Sequence, residues 1–221
     1  MNIGILGGGV GGLSTAIALK QEGFDVAIYE RLSGPTEIGA GIVCWPNASF
    51  VLEQLNVLNK VSKVAGSLNY MNRFSHTGEP IGSLDINELS RLMNYPSYSI
   101  IRKDLMNILI QRTNELNIDI YYEHDVTELT DSEHGTSVHF SNGQIIRPDI
   151  IIGADGRMKS LARKYVNGTN NPIYQGFINW IGVFENDQTH FSNLSVSDYW
   201  GTGKRFGIVP VSKTKAYWAG G

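Results

Sequence analysis

The residues with the most chemistry in their types and spacing lie at the start of the chain. Gly7-Gly8-Gly9-Val10-Gly11-Gly12 satisfies a G-x-G-x-x-G pattern. In that pattern the first glycine permits a tight turn, the second admits a pyrophosphate against backbone, and the third lets helix and strand pack closely. The phosphates then meet the positive end of the following helix. Glu30 stands 18 residues beyond Gly12, where a carboxylate accepts hydrogen bonds from a ribose 2′-hydroxyl and repels a 2′-phosphate. FAD or NAD is therefore expected, and NADP is not. The bland reading of the same residues is a ligand-free glycine turn and a solvated strand end.

These residues need elements to hold them. Residues 2–6 read as a short apolar strand running into the glycines. Leu13, Ala16, Ile17 and Lys20 follow at helical spacing, and Gly23 ends that helix. Asp25 to Tyr29 alternates as a second strand. A β-α-β unit this short predicts parallel strands with a right-handed crossover. Pro46-Asn47 opens a helix carrying Val51, Leu52, Leu55 and Leu58. Residues 64–100 read as irregular strands and loops. Lys103 to Leu116 is an amphipathic helix with Leu105, Ile108, Leu109 and Leu116 on one stripe. Strands are expected near 118–122 and 125–130, then a hairpin at 136–148 turning at Asn142-Gly143. An apolar strand at 149–152 closes in Gly153-Ala154-Asp155-Gly156. From about residue 172 the pattern changes to four antiparallel strands: 174–185, 194–200, 205–209 and 216–220.

Composition narrows the class. The 221 residues carry a formal charge of −3, which argues against a nucleic-acid partner. Their 25 glycines exceed the usual ~7%, and ten of them precede residue 42. No run approaches the length of a membrane helix. The largely uncharged stretch Ile3 to Leu19 lacks a basic flank and is expected to be structure, not a signal peptide. The single Cys44 excludes an internal disulfide and points to the cytoplasm. The sequons at Asn47, Asn167 and Asn193 are then chance matches. His76, His124, His134, His139 and His190 are scattered, so no metal is expected. No nucleophile elbow, P-loop or H-E-x-x-H motif is present.

An ordered set of motifs resembles one family. It comprises Gly7 to Gly12 with Glu30-Arg31, Gly39-Ala40-Gly41-Ile42 leading to Trp45-Pro46-Asn47-Ala48, Arg102 before an amphipathic helix, and Gly153-Ala154-Asp155-Gly156. Together they resemble the single-component FAD-dependent aromatic hydroxylases, the p-hydroxybenzoate hydroxylase-like group, over nearly the whole chain. Tyr174-Gln175-Gly176-Phe177-Ile178-Asn179-Trp180, Gly203-Lys204-Arg205, Pro210-Val211-Ser212 and Tyr217 narrow the likeness to members that hydroxylate urate.

The resemblance implies an α/β architecture: a Rossmann-like FAD-binding domain of the glutathione-reductase type at 1–72 and 98–170, with an antiparallel substrate sheet at 73–97 and 171–221. It implies that NAD(P)H, either NADH or NADPH, reduces FAD, and that O2 supplies oxygen to a small aromatic or purine ring. Gly7, Gly9, Gly11, Gly12, Glu30 and Arg31 would hold the adenosine and pyrophosphate side of FAD. Val43 would lie near the flavin, Arg102 would reach the phosphates, and Val126 would meet adenine through its backbone. Asp155 would belong to a motif near FAD and NAD(P)H. Asn179, Arg205 and Tyr217 would face substrate, with Arg205 the activating group. A guanidinium pairs with an anionic ring, while an amide and a phenol orient it. The bland alternatives are a surface arginine at 102, a strand-end turn at 155, and structural residues at 179, 205 and 217.

Two features depart from the family. Ser160 follows Asp155-Gly156 one residue later than expected, which puts the register of the next helix in question. The later Gly-Asp motif for the flavin ribityl chain is absent, so the chain reads as the N-terminal part of such an enzyme. An open sheet edge would then favour association, including a homo-oligomer. The competing expectations are a non-catalytic remnant or half of a split flavoprotein, and an NAD-dependent dehydrogenase.

Overall fold

A computed structural model describes residues 1–35 and 39–221. In chain order the elements are β1 (Asn2–Leu6), α1 (Val10–Gln21), β2 (Asp25–Tyr29), β3 (Gly41–Cys44), α2 (Pro46–Gln54), α3 (Leu58–Ser62), β4 (Gly66–Ser67) and β5 (Tyr70–Ser75). Next come β6 (Pro80–Asp85), α4 (Ile86–Met93), β7 (Tyr98–Ile101), α5 (Arg102–Glu115), β8 (Asp119–Tyr121), β9 (Val126–Ser132), β10 (Gly135–Phe140) and β11 (Ile145–Ile146). The last are β12 (Ile150–Gly153), α6 (Leu161–Asn167), β13 (Trp180–Glu185), β14 (Val196–Gly201), β15 (Lys204–Pro210) and β16 (Lys215–Gly220).

The chain forms two compact units, Met1–Thr36 with Met106–Tyr174, and Glu37–Leu105 with Gln175–Gly221. In the first, a parallel sheet has the order β12-β1-β2-β8. Its β1-α1-β2 start is the crossover expected from the glycine and apolar spacing. Ile3, Ile5, Leu6, Leu13, Ile17 and Ile28 are fully buried, so strand and helix close one core. An antiparallel β11-β10-β9 sheet supplies Val138 and Phe140, which pack with Leu6, Tyr29 and Val126. Its turn is at Asn142-Gly143, with Gly143 at φ 85°.

The second unit holds an antiparallel β3-β7-β4 sheet and a six-stranded sheet of order β13-β16-β15-β14-β5-β6. Leu68, Ile86 and Val196 form one core, and Ala40, Ile101, Val211 and Tyr217 another.

The structure differs from the sequence reading in several places, among them Val43, which lies on strand β3 and not in a loop. The six-stranded sheet is mixed, because β14 runs parallel to β5. Its first late strand starts at Trp180, not Tyr174. The helix from Pro46 is two helices, since Asn56 at φ 60° leaves the helical region between them. Helix α4 lies in the stretch read as irregular; Asp85 caps it by accepting from the Glu88 amide at 2.9 Å, and Asn94 ends it at φ 58°. The Asp85-x-x-Glu88 spacing resembles a capping box, and Ile86, Leu89 and Met93 recur at helical spacing behind it; these were the available signals. Among the described residues no helix is long and apolar enough to cross a membrane.

Candidate functional site

The first group of residues gathers at the ends of β1, β2 and β12. Gly7 turns the chain at φ 111°, and its amide donates to the Tyr29 carbonyl at 2.8 Å. A Cβ on Gly7 would stand 2.3 Å from the Ala154 carbonyl oxygen, and one on Gly12 would stand 1.9 Å from the Gly7 carbonyl oxygen. Backbone packs against backbone at both positions, so any side chain there displaces the main chain. Gly9 and Gly11 are different: a Cβ on either would meet nothing within 4 Å. They border open space at the start of α1, whose N-cap Gly9 offers no side-chain hydrogen bond. The first-turn amides are thus left for an external acceptor, and the helix dipole favours an anion.

Glu30 joins this group through its carboxylate. Oε2 accepts from the Gly8 amide at 2.6 Å and Oε1 from the Leu32 amide at 3.0 Å. Each oxygen keeps a lone pair for a ribose hydroxyl. Arg31 is exposed beside it. Val126 starts β9, and its side chain packs with Leu6, Val138 and Phe140, leaving only backbone to meet a nucleotide.

Asp155 follows β12. Its Oδ1 accepts from the Ser160 hydroxyl at 2.5 Å and its Oδ2 from the Ala162 amide at 3.1 Å. Ser160 is the N-cap of α6 and accepts from the Arg163 amide at 2.9 Å. The late serine therefore fits, because Asp155 reaches across to it. Arg163 fastens the same loop by donating to the Arg157 and Gly156 carbonyls at 2.8 and 3.2 Å.

The second group lies in the other unit. A Cβ on Gly39, at φ 117°, would stand 2.7 Å from Arg102 Cδ. A Cβ on Gly41 would stand 2.1 Å from Tyr217 Cδ1. The loop thus threads between Arg102 and Tyr217, and glycine leaves room for both. Val43 follows on β3, packed against the Ala40 and Tyr217 core. Tyr217 is 8% exposed, and burial, with Cys44 nearby, pushes its phenol well above the usual tyrosine range.

Strand register sets the rest. Directly opposed residues share a sheet face. Tyr217 opposes Val209 and Val183, while Asp198 opposes Gly207 and Trp200 opposes Arg205. Arg205, Tyr217 and Asp198 therefore lie on one face. Arg205 and Gly221 exchange backbone bonds at 2.8 and 3.0 Å. Asn179 Oδ1 stands 3.0 Å from where a Cβ on Gly221 would be, so it borders the same patch. Asp198 is the residue that sequence reasoning missed. It is 1% exposed, and its Oδ1 accepts from Arg205 Nε at 2.7 Å. Its Oδ2 accepts from Arg205 Nη2 at 3.1 Å and Trp200 Nε1 at 2.7 Å. The bidentate carboxylate holds the guanidinium charged, further above its already high range. Pairing Trp200 with Arg205 across the Gly201-Thr202-Gly203 turn was the only sequence signal available.

A parallel β-α-β sheet with an uncapped, glycine-lined helix start and an acid ending the second strand defines a dinucleotide-binding protein. Its glycines and acid fit FAD. The chain belongs to the FAD binding domain family, whose model matches residues 1–219. It is 30% identical to a FAD-dependent urate hydroxylase of Mycolicibacterium vanbaalenii, over 98% of this chain and 55% of that protein. It is 29% identical to an aurachin C monooxygenase/isomerase of Stigmatella aurantiaca, over 97% of this chain and 55% of that protein. The structure of Klebsiella pneumoniae HpxO complexed with FAD and uric acid superposes with a TM-score of 0.86 at 28% identity, covering 100% of this chain and 56% of that one. The chain thus spans about half the length of the relatives it matches. Among the described residues no cluster of three metal-ligating side chains occurs.

Proposed function

We propose that the chain is the FAD-binding and substrate-facing part of a flavin-dependent monooxygenase that hydroxylates an anionic heteroaromatic ring, urate being the specific substrate. Bound FAD would accept electrons from NADH or NADPH and activate O2. The chain's own residues supply binding and orientation. Gly7, Gly9, Gly11 and Gly12 receive the pyrophosphate on α1, and Glu30 and Arg31 hold the adenosine side, with Val126 offering backbone to adenine. Arg102, Val43 and Asp155 serve the cofactor from the loops they border. The functional division follows 1–72 with 98–170 for cofactor and 73–97 with 171–221 for substrate; it differs from the division into compact units. A cytoplasmic home accords with the single buried Cys44.

One observation carries the reading. Arg205 and Tyr217 share one face of the six-stranded sheet, Asn179 borders its Arg205 end, and Tyr217 packs on the glycine segment whose other end, at Gly39, lies against Arg102. Arg205 would pair with the anionic ring and favour its ionised form. Asn179 and Tyr217 would fix its orientation through an amide and a phenol that stays protonated.

The test is direct. The purified chain should be yellow with flavin absorbance, and urate should stimulate NADH oxidation with matched O2 uptake. Flavin without urate-stimulated turnover would restrict the function to cofactor binding. A colourless chain that takes up no added FAD would overturn the reading.

A further inference from the structure

Asp198 is a charged group with almost no solvent contact, and neither the family motifs nor the substrate residues above account for it. A carboxylate at 1% exposure is costly unless its charge is met. Here three N–H groups meet it: Arg205 Nε and Nη2, and Trp200 Nε1, at 2.7 to 3.1 Å. Gly207 stands opposite, and a Cβ there would lie 3.5 Å from Oδ1. Any side chain longer than alanine would crowd the pair. The Arg205 side chain keeps 67% exposure. Of its five N–H groups two are spent on Asp198, so three face outward in a fixed plane.

A second cation joins them. Arg73 on β5 opposes Asp198 in register, and its guanidinium carbon lies 5.2 Å from the Trp200 ring centre. Its Nε is buried with no hydrogen-bond partner. The group Arg73, Asp198 and Arg205 thus sums two positive charges and one negative to a single net positive charge.

We propose, resting on the substrate reading above, that Asp198 is the positioning residue of the substrate face. It locks the Arg205 guanidinium in one plane, and with Arg73 it sets the face for a planar ring bearing one negative charge. Without Asp198 the arginine would still be charged but free to rotate, and the two arginines would suit a more highly charged ligand.

Three measurements on the full chain test this. Urate and uncharged hypoxanthine are titrated by calorimetry against the wild type and Asp198→Asn. The substitution should weaken urate at least tenfold, leave hypoxanthine within about twofold, and be non-additive with Arg205→Lys. Equal loss for both ligands, or urate affinity within twofold of wild type, would overturn the proposal. Trp200→Phe removes one donor to the same carboxylate and serves if Asp198→Asn does not fold; it should weaken urate selectively, by less. The Arg205 Nε–H signal in nitrogen-15 NMR, read without ligand, should be shifted and slow to exchange in the wild type and lost in Asp198→Asn. An unchanged signal would refute the positioning role. If the wild type binds no urate but shows that signal and its loss, the substrate reading fails while the clamp on Arg205 stands.

Discussion

The ring of Tyr217 occupies the space that a side chain at Gly41 would fill, with a Cβ there only 2.1 Å from Cδ1. A residue proposed to face substrate is thus seated directly on the segment proposed to border the flavin. Gly41→Ala should force the ring aside and cost about 1–3 kcal/mol, as overpacking does. Urea denaturation checks this. In a Tyr217→Ala background the same substitution should cost less than half as much.

The fingerprint glycines separate folding from binding. Gly9 has φ −77° and open space beyond it, so Gly9→Ala should leave stability within about 0.5 kcal/mol, as at surface sites. The added methyl would enter the open space proposed for the pyrophosphate, so FAD affinity should fall at least tenfold. Gly12→Ala drives a methyl into the Gly7 carbonyl oxygen and should lower both stability and FAD binding. Thermal melts with flavin titration distinguish the two. Equal destabilisation by both substitutions would show that Gly9 is structural.

Alkaline pH should weaken the fold through Cys44. Burial pushes its thiol from 9.0 to about 11. A proton bound more tightly in the fold contributes stability that is complete below about pH 9 and lost as pH rises through 11. The size is roughly 2–3 kcal/mol at 1.36 kcal/mol per unit. Tyr217, also raised by burial, extends the loss above pH 10. Denaturation between pH 7 and 11 should show this decline, and Cys44→Ala should flatten its first part.

Asp155 and Ser160 form one capping unit for α6. Ser160→Ala removes both the cap of the Arg163 amide and the donor to Asp155, and should cost about 1 kcal/mol. Asp155→Asn should have a similar effect, and the double variant should cost little more than either alone. Hydrogen exchange should speed up at the α6 amides in all three. Additive costs would show that the two residues act separately.

Local pattern made much of this protein legible. The β1-α1-β2 start, Glu30, α5 and the Asn142-Gly143 hairpin each depend on residues within one or two elements, where period and turn chemistry speak directly. The family was legible in the ordered set Gly7 to Gly12 with Glu30-Arg31, Gly39 to Ala48, Arg102 and Gly153 to Gly156, and the FAD binding domain model matches residues 1–219. Helix α4 went unread although Ile86, Leu89 and Met93 recur at helical spacing between its two stops, Asp85 and Asn94, because a run of eight residues is too short for its period to stand out among strands and loops.

What the sequence by itself determined was the nucleotide fingerprint, the parallel first sheet and the residue types on which the proposed substrate face rests. Tertiary structure alone decided how they meet. The parallel pairing of β14 with β5 joins strands over a hundred residues apart, and alternation along a strand carries neither its partner nor its direction. That pairing brings Arg73 beside Asp198, and the β14-β15 hairpin delivers Arg205 to the same carboxylate. A buried charge must find its partner across strands, and only the packed sheet supplies one.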